Sequence, residues 1–278
     1  MRSFASPGTV SVKNAAKLEA MRAAGRLASE CLAWILDQVE PGMCTLDLDD
    51  LQMQFAKKHG VRPAPLGYKG FPRSICTSIN EVICHGIPKA TDVLREGDIV
   101  GIDVTLVVEE MHGDNAATIP VGRVDEKVMR LLATALEAQR AGIEAVVPGG
   151  RVGDIGHAIQ SVAEPRGYSV VRDFVGHGVG RRFHEDPQIP HYGKPGRGPR
   201  LRPGMTFTVE PMINQGKPGA EVQRDGWTAL TIDRSLSAQY EHTLEVTEEG
   251  VRVLTVLNDE GRWEPPGGYL PEGFEHSA

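Results

Sequence analysis

Two carboxylates interrupt otherwise apolar segments of the sequence. Asp103 lies within the apolar run at 99–108, and Glu210 ends the run at 205–210. Because side chains alternate across a strand, each acid would share its polar face with a threonine. A carboxylate that is buried there without a partner would be strongly destabilising. We therefore expect each of these acids to lie beside a cation.

Two further acids could join them. Asp114 follows Asp103 through residues 109–113, which have the pattern of a hairpin turn, so the chain could return Asp114 to the side of Asp103. Glu241 lies in another predicted strand with mixed faces. Taken alone, Asp114 would be interpreted as a turn residue and Glu241 as a solvated strand residue. The pattern by itself therefore assigns neither of them to a site.

The chain contains an internal duplication. A Pro-Gly pair, a Leu-Arg-x-Gly turn and the strand that ends in an acid all recur at an offset of 107 residues. Between these blocks, His85 and His177 each precede a glycine at an offset of 92 residues. We predict two similar halves, at about 13–125 and 126–257, preceded by a short tail at 1–12. A site between the halves follows if the paired histidines and acids point inward.

Each half is expected to begin with two helices. Apolar residues recur near a 3.6-residue period over 14–39 and 128–147, and shorter helical stretches at 46–59 and 154–166 end on a glycine. The remainder of each half has the pattern of strands. Helices and strands cluster rather than alternate, which predicts an α+β fold with a mainly antiparallel sheet. The Pro- and Gly-rich segment 258–278 is predicted to be a loosely attached, flexible tail.

Composition excludes several classes of protein. The 278 residues are 40% hydrophobic and carry a net charge of −7, which disfavours a general nucleic-acid or anionic-membrane surface. There is no apolar run long enough to span a membrane and no secretory signal. The four cysteines form no Cys-x-x-Cys pair and are expected to be free thiols. We expect a cytoplasmic monomer that binds neither nucleic acid nor membrane.

Several other motifs have ordinary interpretations. The Gly-x-Gly-x-Gly run at 176–180 does not match the spacing of a dinucleotide-binding loop. The chain has no Gly-x-Ser-x-Gly nucleophile elbow, so serine-hydrolase chemistry is disfavoured. Five histidines lack a partner pattern and are predicted to lie on the surface: His59, His112, His157, His191 and His276.

Long ordered motifs give the sequence a family resemblance. It resembles the type I methionine aminopeptidases, which have the pita-bread fold, over about residues 13–257. The motifs include His85-Gly86-Ile87-Pro88 and Tyr240-Glu241-His242-Thr243. The matching stretches are 66–72, 78–88, 97–100, 102–105, 112–114, 176–180, 183–185, 203–211 and 235–243.

The resemblance implies a dinuclear metal site. Two divalent ions would be held by Asp103, Asp114, His177, Glu210 and Glu241. Four carboxylates would balance the charge of two such ions, and without metal they would repel one another. Oxygen-rich ligands with one imidazole suit Mn, Fe, Co or Zn and do not distinguish among them.

The resemblance also implies catalytic and substrate-binding roles. A metal-activated water would attack the first peptide carbonyl, with Glu210 as general base. His184 would stabilise charge on the carbonyl oxygen, and His85 would assist departure of the amide nitrogen. The substrates would be nascent polypeptide N-termini with a small second residue. The methionine side chain would meet an aromatic and sulfur-containing pocket: Tyr68, Phe71, Cys76, Phe183, Met212 and Trp227.

Three alternatives remain open from the sequence. A prolidase or aminopeptidase P shares the five-ligand pattern, but such enzymes usually carry a large N-terminal domain that is not expected here. A non-catalytic binding protein on the same fold would be expected to have lost ligands. A nucleic-acid- or ribosome-binding module conflicts with the acidic charge, although an enzyme acting on nascent chains could contact the ribosome transiently.

Overall fold

The computed structural model describes residues 10–271 of the chain. Four α-helices lie within these residues, two in each predicted half, and three short 3-10 turns lie at Tyr68–Gly70, Glu164–Arg166 and Pro266–Gly268. Each predicted helix is present, with ends that differ by a few residues. The helices are α1 (Ala15–Leu36), α2 (Thr45–His59), α3 (Glu126–Glu144) and α4 (Val152–Ala163).

Local sequence explains where the helices begin. The Asn14 side chain accepts a hydrogen bond from the Lys17 amide and caps α1. Helices α2 and α4 begin with the same device, because the carboxylate of Asp47 or Asp154 accepts the backbone N–H of the residue three positions earlier, at 2.7 Å in both cases. This shared cap lies at the repeat offset and supports the predicted duplication.

Fifteen strands occupy much of the described chain. The longest two are joined by a tight turn at Glu109 and Glu110, whose φ angles are 46° and 68°. The strands are β1 (Arg62–Pro63), β2 (Cys76–Ile79), β3 (Val82–Cys84), β4 (Ile99–Val108), β5 (Met111–Pro120), β6 (Ser169–Val170), β7 (Gly176–Gly178), β8 (Glu185–Ile189), β9 (Thr206–Val209), β10 (Met212–Asn214), β11 (Ala220–Val222), β12 (Ala229–Thr231), β13 (Ser237–Gln239), β14 (His242–Val246) and β15 (Val251–Val253).

The sheets are antiparallel throughout the described residues, which confirms the α+β prediction. One sheet contains β1, β2, β4 and β5, and another has the order β15-β14-β9-β7-β8. Two three-stranded sheets have the orders β13-β10-β6 and β11-β12-β3. Because β3 belongs to the first predicted half and β11 and β12 to the second, the β11-β12-β3 sheet joins strands from both predicted halves.

A backbone junction connects the two large sheets. Ala116 in β5 and Glu241, just before β14, exchange two backbone hydrogen bonds of 2.9 and 3.4 Å. Beside them, Thr243 Oγ1 donates to the Asp114 carbonyl at 2.8 Å. This junction brings the two strands that carry predicted site residues into contact.

The apolar core lies between the helices and the sheets. Fully buried side chains come from both sets of elements, among them Leu32 of α1, Ile102 of β4, Leu136 of α3 and Phe207 of β9. Burying one such side chain stabilises the fold by about 1.5–3 kcal/mol. The core therefore supports β4, which carries Asp103, and β9, which Glu210 directly follows.

The predicted flexible tail is corrected for its described part. The Glu264 carbonyl accepts a hydrogen bond from His242 Nε2 at 2.8 Å, and Trp263 donates to Gln139 at 2.9 Å. The 3-10 turn at Pro266–Gly268 packs against α1. Residues 258–271 are therefore attached to the core, because they bury apolar and polar groups that composition alone did not reveal. Residues 272–278 and 1–9 lie outside the described residues, and the division into halves remains a prediction.

Two further predictions concern the cysteines and membrane-spanning segments. The cysteines at 31, 44, 76 and 84 are all free thiols, as predicted. No helix within residues 10–271 is long and apolar enough to cross a membrane.

Candidate active site

The β4–β5 hairpin positions the first two acids. Asp103 lies in the middle of β4, paired across the sheet with Ala116, and Asp114 lies opposite Thr105. Thr105 Oγ1 donates a hydrogen bond of 2.6 Å to Asp114 Oδ1. The hairpin therefore returns Asp114 to the neighbourhood of Asp103, as its turn pattern predicts.

The other three predicted ligands approach from separate strands. His177 lies in β7, and its Nε2 is 3.6 Å from Asp114 Oδ2 and 3.7 Å from Glu210 Oε1. Asp114, His177 and Glu241 each offer a ligand atom within 4.8 Å of the others. Ala116 pairs with Asp103 on one side and with Glu241 on the other. These backbone pairings place Asp103 beside the same cluster.

Three groups fix Glu210. Its carboxylate accepts hydrogen bonds from Thr208 Oγ1 at 2.6 Å and from Gln239 Nε2 at 3.3 Å. Its backbone N–H donates to His191 Nε2 at 3.1 Å. Glu210 lies just after the end of β9, outside the hydrogen-bonded ladder of that strand. These three contacts therefore fix its position.

Burial opposes the ionisation of all four carboxyl groups. It raises the pKa of Asp103 to about 7 and that of Glu210 to about 8. Burial, reinforced by the negative charge of neighbouring acids, raises the pKa of Asp114 and Glu241 well above the ordinary range. Without a cation, these four groups could not all be ionised near neutral pH.

The described residues supply no positively charged side chain to this cluster. Within residues 10–271, the ion-pair partner found beside these acids is His177, and no lysine or arginine lies within ion-pair distance of them. Burial lowers the pKa of His177 to about 4, so its imidazole is neutral at neutral pH. A neutral imidazole and four buried carboxylates form a donor set that fits divalent metal ions.

All of the predicted site residues line one cavity of about 660 Å³. The cavity is of the size typical of small-molecule sites. Its lining includes the five predicted ligands, the two predicted catalytic histidines and the six residues of the predicted methionine pocket: Asp103, Asp114, His177, Glu210, Glu241, His85, His184, Tyr68, Phe71, Cys76, Phe183, Met212 and Trp227.

Aromatic rings form one wall of the cavity. Tyr68 and Phe183 lie 5.0 Å apart between ring centroids, and Phe71 meets Trp227 edge-on at 5.2 Å. Cys76 and Met212 are buried and line the same cavity. Burial keeps the Cys76 thiol protonated by raising its pKa well above the ordinary value. This wall is apolar and rich in sulfur, next to the acidic cluster.

The two predicted catalytic histidines are held by ring contacts. His184 stacks on Tyr68 at 5.2 Å and lies 4.1 Å from His177, between ring centroids. His85 has a φ of 56° and meets Phe174 edge-on at 5.5 Å. Burial lowers the pKa of His85 to about 4 and that of His184 to about 2, so both rings are neutral.

The structure corrects the prediction for two surface histidines. His191 is fully buried behind Glu210, and His112 is 7% exposed and stacks on Phe183. His59 and His157 are exposed, as predicted, and His276 lies outside the described residues. The sequence could have indicated that His112 lies near the site. It precedes Asp114 by two residues in a strand, which places both side chains on one face.

Comparison with known proteins is consistent with this arrangement. The model of metallopeptidase family M24 matches residues 19–248. The chain belongs to metallopeptidase family M24. This membership confirms the pita-bread fold and identifies the protein as a metal-dependent peptidase.

Two proteins that this chain resembles at 50% identity or more carry the name methionine aminopeptidase. Methionine aminopeptidase A of Synechocystis sp. is 55% identical over 248 residues, which cover 89% of this chain and 98% of the relative. The crystal structure of methionine aminopeptidase from Rickettsia prowazekii has a TM-score of 0.88 at 50% identity, covering 89% of this chain and all of the other. The prediction of this resemblance from the motifs is therefore confirmed.

The prolidase alternative has weaker support. A prolidase from Pyrococcus furiosus has a TM-score of 0.69 at 22% identity, and the match covers 89% of this chain but 66% of the prolidase. At that identity the similarity establishes the shared fold alone.

Proposed function

We propose that this M24 peptidase removes the N-terminal methionine from polypeptides whose second residue is small. The observation that carries the proposal is one cavity with two unlike walls: a buried acidic cluster and an apolar wall of aromatic rings and sulfur. An acidic metal-binding wall suits peptide hydrolysis, and an apolar wall beside it suits an uncharged side chain.

The proposed metal centre contains two divalent ions. Asp103, Asp114, His177, Glu210 and Glu241 would hold them, and the identity of the ions, among Co, Mn, Fe and Zn, is left to measurement. When bound, the ions would lower the pKa of water and polarise the scissile carbonyl. The neutrality of His177 supports this proposal, because only an unprotonated imidazole nitrogen can bind a metal.

Glu210 is proposed to accept the proton of the attacking water. Thr208 and Gln239 donate hydrogen bonds to its carboxylate and orient it. A carboxylate held in place within reach of the water can receive its proton and return it to the leaving amine.

His184 and His85 are proposed to act on the peptide itself. Both rings are neutral, so each can donate one N–H without adding a positive charge to the acidic cavity. His184 would donate to the carbonyl oxygen as it gains charge, and His85 would interact with the departing amide nitrogen.

The aromatic wall is proposed to bind the methionine side chain. A contact between sulfur and the edge of an aromatic ring is favourable by about 0.3–1.5 kcal/mol. An unbranched side chain also fits a narrow slot better than a branched one. Tyr68, Phe71, Phe183 and Trp227 would supply the rings, with Cys76 and Met212 between them. A charged first residue would be buried there without a partner and would not react.

The setting of the reaction is also a proposal. A cytoplasmic monomer acting on nascent chains, with transient contact to the ribosome, is consistent with the free cysteines and with the substrate. The two halves at about 13–125 and 126–257 would form one catalytic domain, because both contribute ligands.

The decisive measurement is kcat/KM for peptides of the form X-Ala-Ser, with X as methionine, norleucine, leucine or lysine. Chelated protein would be assayed before and after the return of each metal. We expect methionine to react best, norleucine with a modest loss, leucine far more slowly and lysine not at all. Equal rates for leucine and methionine would contradict the methionine pocket. Cleavage of Ala-Pro peptides in preference to Met-Ala-Ser would favour the prolidase alternative.

A further inference from the structure

The position of His184 depends on the backbone that carries it. Residues 180–185, the 180–185 loop, present Phe183 and His184 to the cavity. Within the described residues, the His184 ring has ring contacts and no side-chain hydrogen bond. An imidazole held only by stacking can shift when its loop shifts, so whatever anchors the loop also sets the position of this ring.

A buried ion pair anchors this loop. Lys13 Nζ lies 3.0 Å from Glu185 Oε2, and the two side chains are only 3% and 7% exposed. Among the lysine and arginine ion pairs of residues 10–271, this is the one in which both side chains are nearly fully buried. Lys13 itself is fixed, because its backbone N–H donates to the Gly204 carbonyl at 2.7 Å.

The ion pair also packs against the backbone of the loop. Glu185 Oε1 accepts the Arg182 backbone N–H at 3.2 Å, closing the loop on itself. A Cβ at Gly180 would lie 2.7 Å from Lys13 Cε and 2.9 Å from Glu185 Oε1. The pair and the loop therefore fit together without spare room, and movement of either would displace the other.

We propose that Lys13 and Glu185 are positioning residues, whose ion pair holds the 180–185 loop so that His184 and Phe183 face the substrate. This inference rests on the proposed function, since it assigns the pair an effect on methionine release. A buried ion pair is often no more stabilising than apolar residues of similar size, so stability alone gives little reason for this pair. The geometry of the loop gives a specific reason for the ion pair, because the loop presents Phe183 and His184 to the cavity.

The test separates positioning from stability. Lys13→Met and Glu185→Gln each remove one charge, the double variant removes both, and Lys13→Arg preserves the charge. Arg26→Met serves as the matched control, because Arg26 also pairs with an acid distant in sequence, Asp259, but is 44% exposed. Each protein would be assayed for kcat, KM, metal content, melting temperature and hydrogen exchange in the 180–185 loop.

We expect Lys13→Met to lower kcat by about tenfold to a hundredfold, with metal content unchanged and exchange in the loop accelerated. Lys13→Arg should recover most of kcat, and Arg26→Met should leave kcat unchanged. The double variant should regain melting temperature relative to Lys13→Met, because no unpaired charge stays buried, while its kcat stays low.

Two results would overturn the positioning role: recovery of kcat together with melting temperature in the double variant, or unchanged kcat in Lys13→Met. If the unsubstituted protein released no methionine, the proposed function would be wrong. Loop exchange in the variants would still decide whether the pair orders residues 180–185.

Discussion

The two predicted halves of the chain contribute to the same cavity by different means. In the first half, Asp103 and Asp114 come from one continuous hairpin, β4–β5, and the pairing of that hairpin alone brings them together. In the second half, His177, Glu210 and Glu241 come from β7 and from the ends of β9 and β14. The first contribution depends on local pairing, whereas the second requires a complete sheet and the junction at Ala116.

The paired histidines differ even more. His177 lies in β7, within 3.7 Å of two acids. His85 follows β3 in a left-handed backbone conformation and lies among Phe174 and Trp227. Matched positions of the predicted repeat therefore hold a candidate ligand in one half and a candidate hydrogen-bond donor in the other.

The largest expected effect comes from replacing the two acids that occupy matched repeat positions, one in each predicted half. Asp103→Asn and Glu210→Gln alter the acids at the matched repeat position, and each should lower kcat/KM by at least about a thousandfold, because each removes a charge that the metal site needs. Metal content and kcat/KM are the measurements. Glu109→Gln, in the exposed turn of the same hairpin, should have little effect. Full turnover in either site variant after the return of metal would contradict the assignment.

The next effect separates the two histidines of the repeat. His177→Ala should weaken metal binding, whereas His85→Ala should retain metal and lose about a hundredfold to a thousandfold in kcat, as His184→Ala should. Metal analysis by mass spectrometry, alongside single-substrate kinetics, provides the comparison. Empty metal sites in His85→Ala would mean that the two halves use their histidines alike.

A smaller effect on substrate preference is expected at the aromatic wall of the cavity, to which both predicted halves contribute. Phe71 from the first half and Trp227 from the second meet edge-on, so Trp227→Ala should open the pocket and reduce the preference for methionine over leucine by about tenfold. The ratio of kcat/KM for Met-Ala-Ser and Leu-Ala-Ser measures this preference. Trp34→Ala, remote from the cavity, is the control. An unchanged ratio would remove Trp227 from the pocket.

The smallest effect is a pH dependence of stability in chelated protein. Asp103 and Glu210, with pKa values raised to about 7 and about 8, keep protons that the unfolded chain has already lost. The native state then binds more protons than the unfolded state, so stability should fall with rising pH. Asp114 and Glu241, whose pKa values burial raises further, also keep protons in the native state. We therefore expect a loss of at least about 1 kcal/mol between about pH 7 and about pH 8, where histidines are largely neutral in both states. Denaturant unfolding would measure it.

Added metal should abolish this slope, since bound ions keep the carboxylates ionised in the native state. Glu210→Gln should reduce the slope in chelated protein. Stability that rises with pH across the same interval would contradict the burial of these acids.

Sequence patterns predicted the strands and acids because those features are local. The alternation around Asp103 and the turn before Asp114 each depend on residues that are close together in the chain. The long motifs of the family resemblance supplied the remaining candidates. His191 and Lys13 could not be found in this way, because their partners, Glu210 and Glu185, are distant in sequence. The packing of residues 258–271 was missed for the same reason.

The anchoring of Lys13 has a practical consequence for anyone who modifies the amino end of this protein. Helix α1 begins at Ala15, so a recombinant form starting at Asn14 would look complete by secondary structure. It would nevertheless lack Lys13, the cation that pairs with Glu185. Purification tags belong before residue 10, or at the carboxyl end, if the engineered enzyme is to keep its native turnover.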